Sequence, residues 1–169
     1  MLLAIDIGNT NIVLGVFKGK QLKGEWRIAT SLSRTTDEYG ILFLDLFLAQ
    51  RLASKDITGI ALSSVVPPLT PVFEEMGRKY FGRSPMVVTH ESKTGLRIHY
   101  EQPKDVGADR LVNAAAAFAL YGGPLVIVDF GTATTFCAVS KDGDYLGGAI
   151  APGVMISAEA LFARAAKLP

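Results

Sequence analysis

Two aspartates, each closing an apolar run as Asp-x-Gly, have the surroundings most suited to chemistry in this chain. Ala4-Ile5-Asp6-Ile7-Gly8-Asn9-Thr10 is echoed by Ile127-Val128-Asp129-Phe130-Gly131-Thr132-Ala133, with the aspartates 123 residues apart (129 − 6). Glycine lets a backbone approach an anion closely, and successive turn amides form an anion-binding concavity. Asn9, Thr10 and Thr132 add side-chain donors. Asp6 does not attract a phosphate by itself, but it can hold a divalent cation that bridges phosphate oxygens through water. Two such strand ends related by duplication predict the two halves of a phosphate-holding cleft. The plainer alternative is a pair of hairpins whose Asp and Asn side chains only cap turns.

A second group is Gly107-Ala108-Asp109-Arg110, at the start of an alanine-rich helix. A carboxylate is favoured at a helix N-terminus, and Asp109 there can accept a proton from a substrate hydroxyl. Arg110 offers a planar fork for a carboxylate or phosphate. An ordinary acidic first turn followed by a solvated arginine is the competing reading. Asp129 follows the buried-type strand Leu125-Val126-Ile127-Val128, where a carboxylate is costly to desolvate alone. A bound cation or the turn amides would satisfy it. Thr132, Thr134 and Thr135 are phosphate donors or simply β-branched strand residues.

Other chemistries find no footing. There is no Gly-x-x-x-x-Gly-Lys-Ser/Thr and no Gly-x-Gly-x-x-Gly opening a helix. His90 and His99 lack metal-ligand spacing and read as surface residues. Cys137, the only cysteine, reads as a small buried hydrophobe.

The elements that must position these residues follow from pattern. Met1 to Ile7, Ile12 to Phe17 and Gln21 to Ala29 read as a three-stranded meander with turns at 8–11 and 18–20. Thr36-Asp37-Glu38 reads as a cap and acidic first turn, opening an apolar helix that runs to Leu52. A strand over 57–66 ends at Pro67-Pro68. A helix covers 70–81 with Pro71 in its first turn, and Met86 to Thr89 is a short strand. Residues 90–106 read as a polar connection with room for function. The second half restarts with a helix over 105–121, strands over 125–129, 134–139 and 145–151, and a helix from Pro152-Gly153 to Lys167. This predicts two domains, 1–105 and 106–169. By symmetry the second repeats only strand, strand, strand and helix, so the chain is expected to be a piece of a longer protein.

Composition bounds the partners. The 169 residues carry 17 basic and 16 acidic side chains, net +1, which is no footprint for nucleic acid or an anionic membrane surface. The apolar stretch 114–128 is interrupted by Tyr121, Gly122, Gly123 and Pro124 and is too short to span a bilayer. One cysteine excludes an internal disulfide and fits a reducing, cytoplasmic setting. A soluble protein is expected.

Taken together, Asp6-x-Gly8-Asn9-Thr10 with Gly15, Gly107-Ala108-Asp109-Arg110, Asp129-Phe130-Gly131-Thr132-Ala133-Thr134, and Gly147-Gly148 leading to Ala151-Pro152-Gly153 resemble the type III pantothenate kinases. That family belongs to the acetate and sugar kinase/Hsp70/actin superfamily. The resemblance implies an α/β fold of duplicated ribonuclease H-like (actin-like ATPase) domains, each a mixed sheet with flanking helices, the second incomplete. It implies ATP-dependent phosphorylation of pantothenate, the first step of coenzyme A synthesis. Asp6, Ile7, Gly8, Asn9, Thr10, Asn11, Ile12 and Val13 would form the first ATP phosphate loop, and Thr132 would contact ATP from the second. Asp109 would be the proton acceptor, and Tyr100, Gly107, Ala108, Asp109 and Arg110 would bind pantothenate. Asp129 would ligate potassium or ammonium, with magnesium accompanying ATP and possible at Asp6. A cytoplasmic homodimer of the full-length protein is implied, with no nucleic acid and no membrane. A nucleotide-binding regulatory protein of the same fold, without kinase activity, is the alternative. It would have no need of Asp109 and Arg110 at a helix start.

Overall fold

A computed structural model describes residues 1–165 and divides the chain into two compact units, the first Met1–Thr89 and the second beginning at His90.

In the first unit, β1 (Leu2–Ile7), β2 (Asn11–Lys18) and β3 (Gln21–Ala29) form the expected meander. β4 (Gly59–Ser64) and β5 (Met86–Val87) add in parallel, giving the order β3-β2-β1-β4-β5. Alternation along the strands decides which face is core. Leu3, Ile5, Ile7, Ile12, Leu14, Val16, Ile60 and Leu62 are buried against helices α1 (Thr36–Ala49) and α2 (Thr70–Phe81). Tyr39 and Phe43 of α1 meet Phe73 of α2 with ring centroids 4.6 and 5.7 Å apart. Ala4 and Asp6 alternate onto the opposite face, and Val13 and Ser63 flank Asp6 in register.

Two local expectations are corrected. The cap of α1 is Thr35, not Thr36. Its hydroxyl accepts from the Glu38 amide while the Glu38 carboxylate accepts from the Thr35 amide at 2.7 Å, a reciprocal pairing that a cap at Thr36 cannot make. The helix stops at Ala49 rather than Leu52, because Arg51 takes a positive φ of 58°.

The second unit places α3 (Ala108–Tyr121) against one face of a four-stranded sheet of order β6-β9-β8-β7. Here β6 is Arg97–Ile98, β7 Leu125–Phe130, β8 Ala133–Val139 and β9 Asp144–Pro152. Leu111 and Ala114 of α3 are buried with Cys137, Val139 and Tyr145 of the sheet. The helix begins at Ala108 instead of 105, since Pro103 opens a 3-10 turn and Val106 is extended. The stretch 90–106 contains β6, parallel to β9, where only a connection was expected. Helix α4 covers Val154–Arg164, and the expected end at Lys167 lies outside the described residues. No helix among the described residues is long and apolar enough to cross a membrane.

The duplication extends to its irregularities. The register slips between Val16 and Phe17 in the first meander and between Ala138 and Val139 in the second. Lys23 is left over opposite the first slip and Leu146 opposite the second, the same 123-residue offset (146 − 23) as the aspartates. The halves differ at the motif itself. The first turn leaves Gly8 to Asn11 between paired residues, whereas the second leaves only Gly131 to Ala133.

Candidate functional site

The first Asp-x-Gly turn is tied down from β3. Thr30, just past that strand, donates its hydroxyl to the Gly8 carbonyl at 2.6 Å and its amide to the Thr10 carbonyl at 3.0 Å. The Gly8 amide donates to the Asn11 carbonyl at 3.0 Å. These bonds hold the backbone of the turn in one geometry. Of the expected nucleotide segment, Ile7 and Ile12 are fully buried core residues, so any contact they make is through backbone. Asp6 and Val13 are half-buried neighbours on the non-core face. Thr30 carried no motif signal, because its role depends on the meander folding back.

The second turn is held by the chain that follows β9. The Gly153 amide donates to the Thr132 carbonyl at 3.1 Å, and a Cβ at Gly153 would run into the Gly131 and Thr132 carbonyls. Gly153 is also the N-cap residue of α4. The Gly131-Thr132 turn and a helix N-terminus are thus adjacent, an arrangement that favours phosphate. Asp129 is half-buried and accepts from Asn113 Nδ2 at 2.9 Å.

Around the start of α3 the structure gathers the remaining candidates. Gly107 is the N-cap residue, and Ala108, Asp109 and Arg110 form the first turn. Asp109 Oδ1 accepts from the Arg110 amide at 2.7 Å. Arg110 is 9 % exposed, not solvated. Its Nε donates to Cys137 Sγ at 3.2 Å and its Nη2 to the Phe136 carbonyl at 3.4 Å, and its guanidinium lies 5.9 Å from the Tyr145 ring centroid. Burial works against the Arg110 charge, but the Cys137 contact and the nearby Tyr145 and Asp109 outweigh it and leave the pKa raised. Burial, then the bond to Cys137, pushes the Tyr145 phenol well up, against the pull of Arg110. Cys137 is buried as expected, yet it also receives these two polar contacts. Gly148 lies against Arg110, since a Cβ there would come 2.7 Å from Nη2. Gly147, at φ +105°, has the Tyr100 ring 3.1 Å from the place a Cβ would take. Tyr100 and Arg110 therefore each lie against one residue of the Gly147-Gly148 pair of β9.

The segment carrying Tyr100 is anchored by Asp144. Its carboxylate accepts from Ser140 Oγ at 2.9 Å and Arg97 Nε at 2.7 Å, with His99 Nε2 at 3.2 Å. The hydroxyl of Ser140 first, then Arg97 and His99, hold the Asp144 pKa below its usual value despite some desolvation. A lowered folded-state pKa means stabilisation present above the unfolded value and lost as pH falls through the folded one. Backbone protection of Arg97 and His99, whose amides donate to Gly143 and Tyr145, is expected to weaken below about pH 4. Asp144→Asn should remove that acid step and speed exchange of both amides at neutral pH, as read by hydrogen exchange. Unchanged exchange in the variant would refute the anchor.

Among the described residues no three His, Cys, Asp or Glu side chains converge as metal ligands. A divalent ion caged by side chains does not fit. Magnesium carried by phosphate oxygens, or a monovalent cation on the single Asp129 carboxylate, does.

Solved structures share this architecture. A Ppx/GppA phosphatase of Aquifex aeolicus matches with a TM-score of 0.56 at 16% identity, over 95% of this chain and 55% of that one. The ethanolamine utilization protein EutJ of Carboxydothermus hydrogenoformans matches at 0.54 and 17% identity, over 95% and 56%. The fold is that of the actin-like ATPases and sugar kinases. Within that class, the profile described as type III pantothenate kinase matches residues 2–169, and a type III pantothenate kinase of Moorella thermoacetica is 57% identical across all 169 residues. The chain belongs to the type III pantothenate kinase family. It spans 66% of the length of the Moorella protein.

Proposed function

We propose that the protein of which this chain forms part transfers the γ-phosphoryl group of ATP to the terminal hydroxyl of pantothenate. The observation that carries this reading is the first turn of α3. There the buried Arg110, oriented by Cys137 Sγ and the Phe136 carbonyl, stands beside Asp109, with Gly148 against its guanidinium and the Tyr100 ring against the neighbouring Gly147. A cation for a substrate carboxylate and a base for its hydroxyl suit phosphorylation of a hydroxy acid such as pantothenate. Family membership over the whole chain supports the same substrate.

By family membership, Asp6 to Val13 bind the ATP phosphates and Thr132 contacts ATP. Phosphoryl transfer depends on positioning and charge neutralisation more than on covalent chemistry, and magnesium bound with ATP supplies part of that neutralisation. Asp109 takes the hydroxyl proton as oxygen attacks phosphorus. Tyr100, Gly107, Ala108 and Arg110 hold pantothenate. Asp129 holds potassium or ammonium. A cytoplasmic homodimer belongs to the same reading and rests on family membership.

The test is ADP release from ATP with and without pantothenate, in potassium and in sodium buffer, on this chain and on the full reading frame that carries it. Pantothenate-dependent release, faster in potassium, is expected from the full reading frame. Nucleotide binding with no pantothenate-dependent release would instead favour a regulatory nucleotide binder.

A further inference from the structure

Asn113 belongs to none of the motifs, yet it joins two of them. It lies four residues beyond Asp109 on α3, hence on the same helix face. From there its Nδ2 donates to Asp129 Oδ2 at 2.9 Å, across to the end of β7. Asp129 stands on the sheet face that packs against α3, following Leu125 and Ile127, with Thr135 beside it in register. The helix that opens with Asp109 is therefore tied to the aspartate of the strand end through one half-buried amide.

The chemistry of the donor matters. A lysine or arginine at position 113 would orient Asp129 equally well but would cancel its charge and repel a cation. A carboxamide fixes one oxygen and leaves the full negative charge for a ligand. Hydrogen-bonded partners of a ligating carboxylate hold it in place and raise affinity for the bound ion.

We propose that Asn113 is a positioning residue that presents Asp129 to its monovalent cation and fixes that cation's place relative to Asp109. The proposal rests on the reading of Asp129 as the cation ligand given above.

The test is the thermal midpoint of the full-length protein titrated with potassium chloride against choline chloride at constant ionic strength, together with the pantothenate KM at saturating potassium. In wild type the midpoint should rise with potassium. In Asn113→Ala the half-saturating potassium concentration should increase by about 10- to 100-fold, with the KM changed by less than about threefold once the site is filled. Asn113→Leu, close in size and apolar, should behave the same and serves if the alanine variant does not fold. A midpoint lowered equally at every potassium concentration, with unchanged half-saturation, would make Asn113 a structural strut and overturn the proposal. A wild-type midpoint indifferent to potassium would remove the cation from Asp129 and this proposal with it. The pantothenate-dependent ADP assay reports on the kinase reading independently.

Discussion

Asp109→Asn is expected to lower pantothenate-dependent turnover by about 10²- to 10⁴-fold while ATP affinity stays within about twofold. The substitution is isosteric. The side-chain oxygen that accepts from the Arg110 amide at 2.7 Å is retained, so the first turn of α3 keeps its geometry. What disappears is the capacity to take a proton. Asp109 stands at the second helical position behind the Gly107 cap, where the helix's positive end favours an anion. A neutral carboxamide cannot accept the hydroxyl proton as the oxygen attacks. The proposed first ATP loop, by contrast, is built from Asp6 to Val13 and pinned by Thr30. The measurement is ADP release with saturating substrates, beside direct titration of ATP. Equal loss of turnover and of ATP binding would count against the base role, since it would show that Asp109 supports the nucleotide site or the fold.

That this experiment could be framed from sequence reflects how local the relevant signals are. A strand ending in Asp-x-Gly, a helix opening at Gly-Ala-Asp-Arg and period-two alternation each occupy only a few neighbouring residues. The three-stranded meanders, α2 and the Gly153 start of the last helix were legible for that reason. What was not legible depends on contacts distant in sequence. The two residues of β6 become a strand only because β9, nearly fifty positions on, offers them a partner. Thr30 matters only once β3 returns to the Gly8 turn. The cap of α1 was readable and was misplaced by one residue, since Glu38 lies three positions after Thr35 and so marks Thr35 as the capping-box residue. Arg110 shows the limit most clearly. Its position in a first turn suggested solvent, and only the packing of α3 on β8 and β9 reveals it as buried.

That burial yields the second large expected effect. Arg110→Met should raise the pantothenate KM by about 100-fold or more while leaving stability unchanged or improved. Of the five N–H groups of the guanidinium, the Nε–H is engaged by Cys137 Sγ and one on Nη2 by the Phe136 carbonyl. These contacts, with the Tyr145 ring alongside, fix the plane of the fork. The edge formed by Nη1 and Nη2 still has donors for a bidentate carboxylate. Asp109, its neighbour in the first turn, favours the guanidinium charge through space. Burying a charge is a cost to folding, and replacing buried charged groups with apolar ones of similar size is often neutral or stabilising by about 1–4 kcal/mol. The same buried charge rewards an incoming carboxylate. Losing one partner of a buried charged pair costs about 2–5 kcal/mol in binding, which sets the expected change in KM. Methionine keeps an unbranched apolar stem in that place without the charge. Urea denaturation and pantothenate kinetics on the same preparation separate the two effects. A variant that loses stability and keeps its KM would identify Arg110 as a structural brace between α3 and β8, and pantothenate's carboxylate would have to be bound elsewhere.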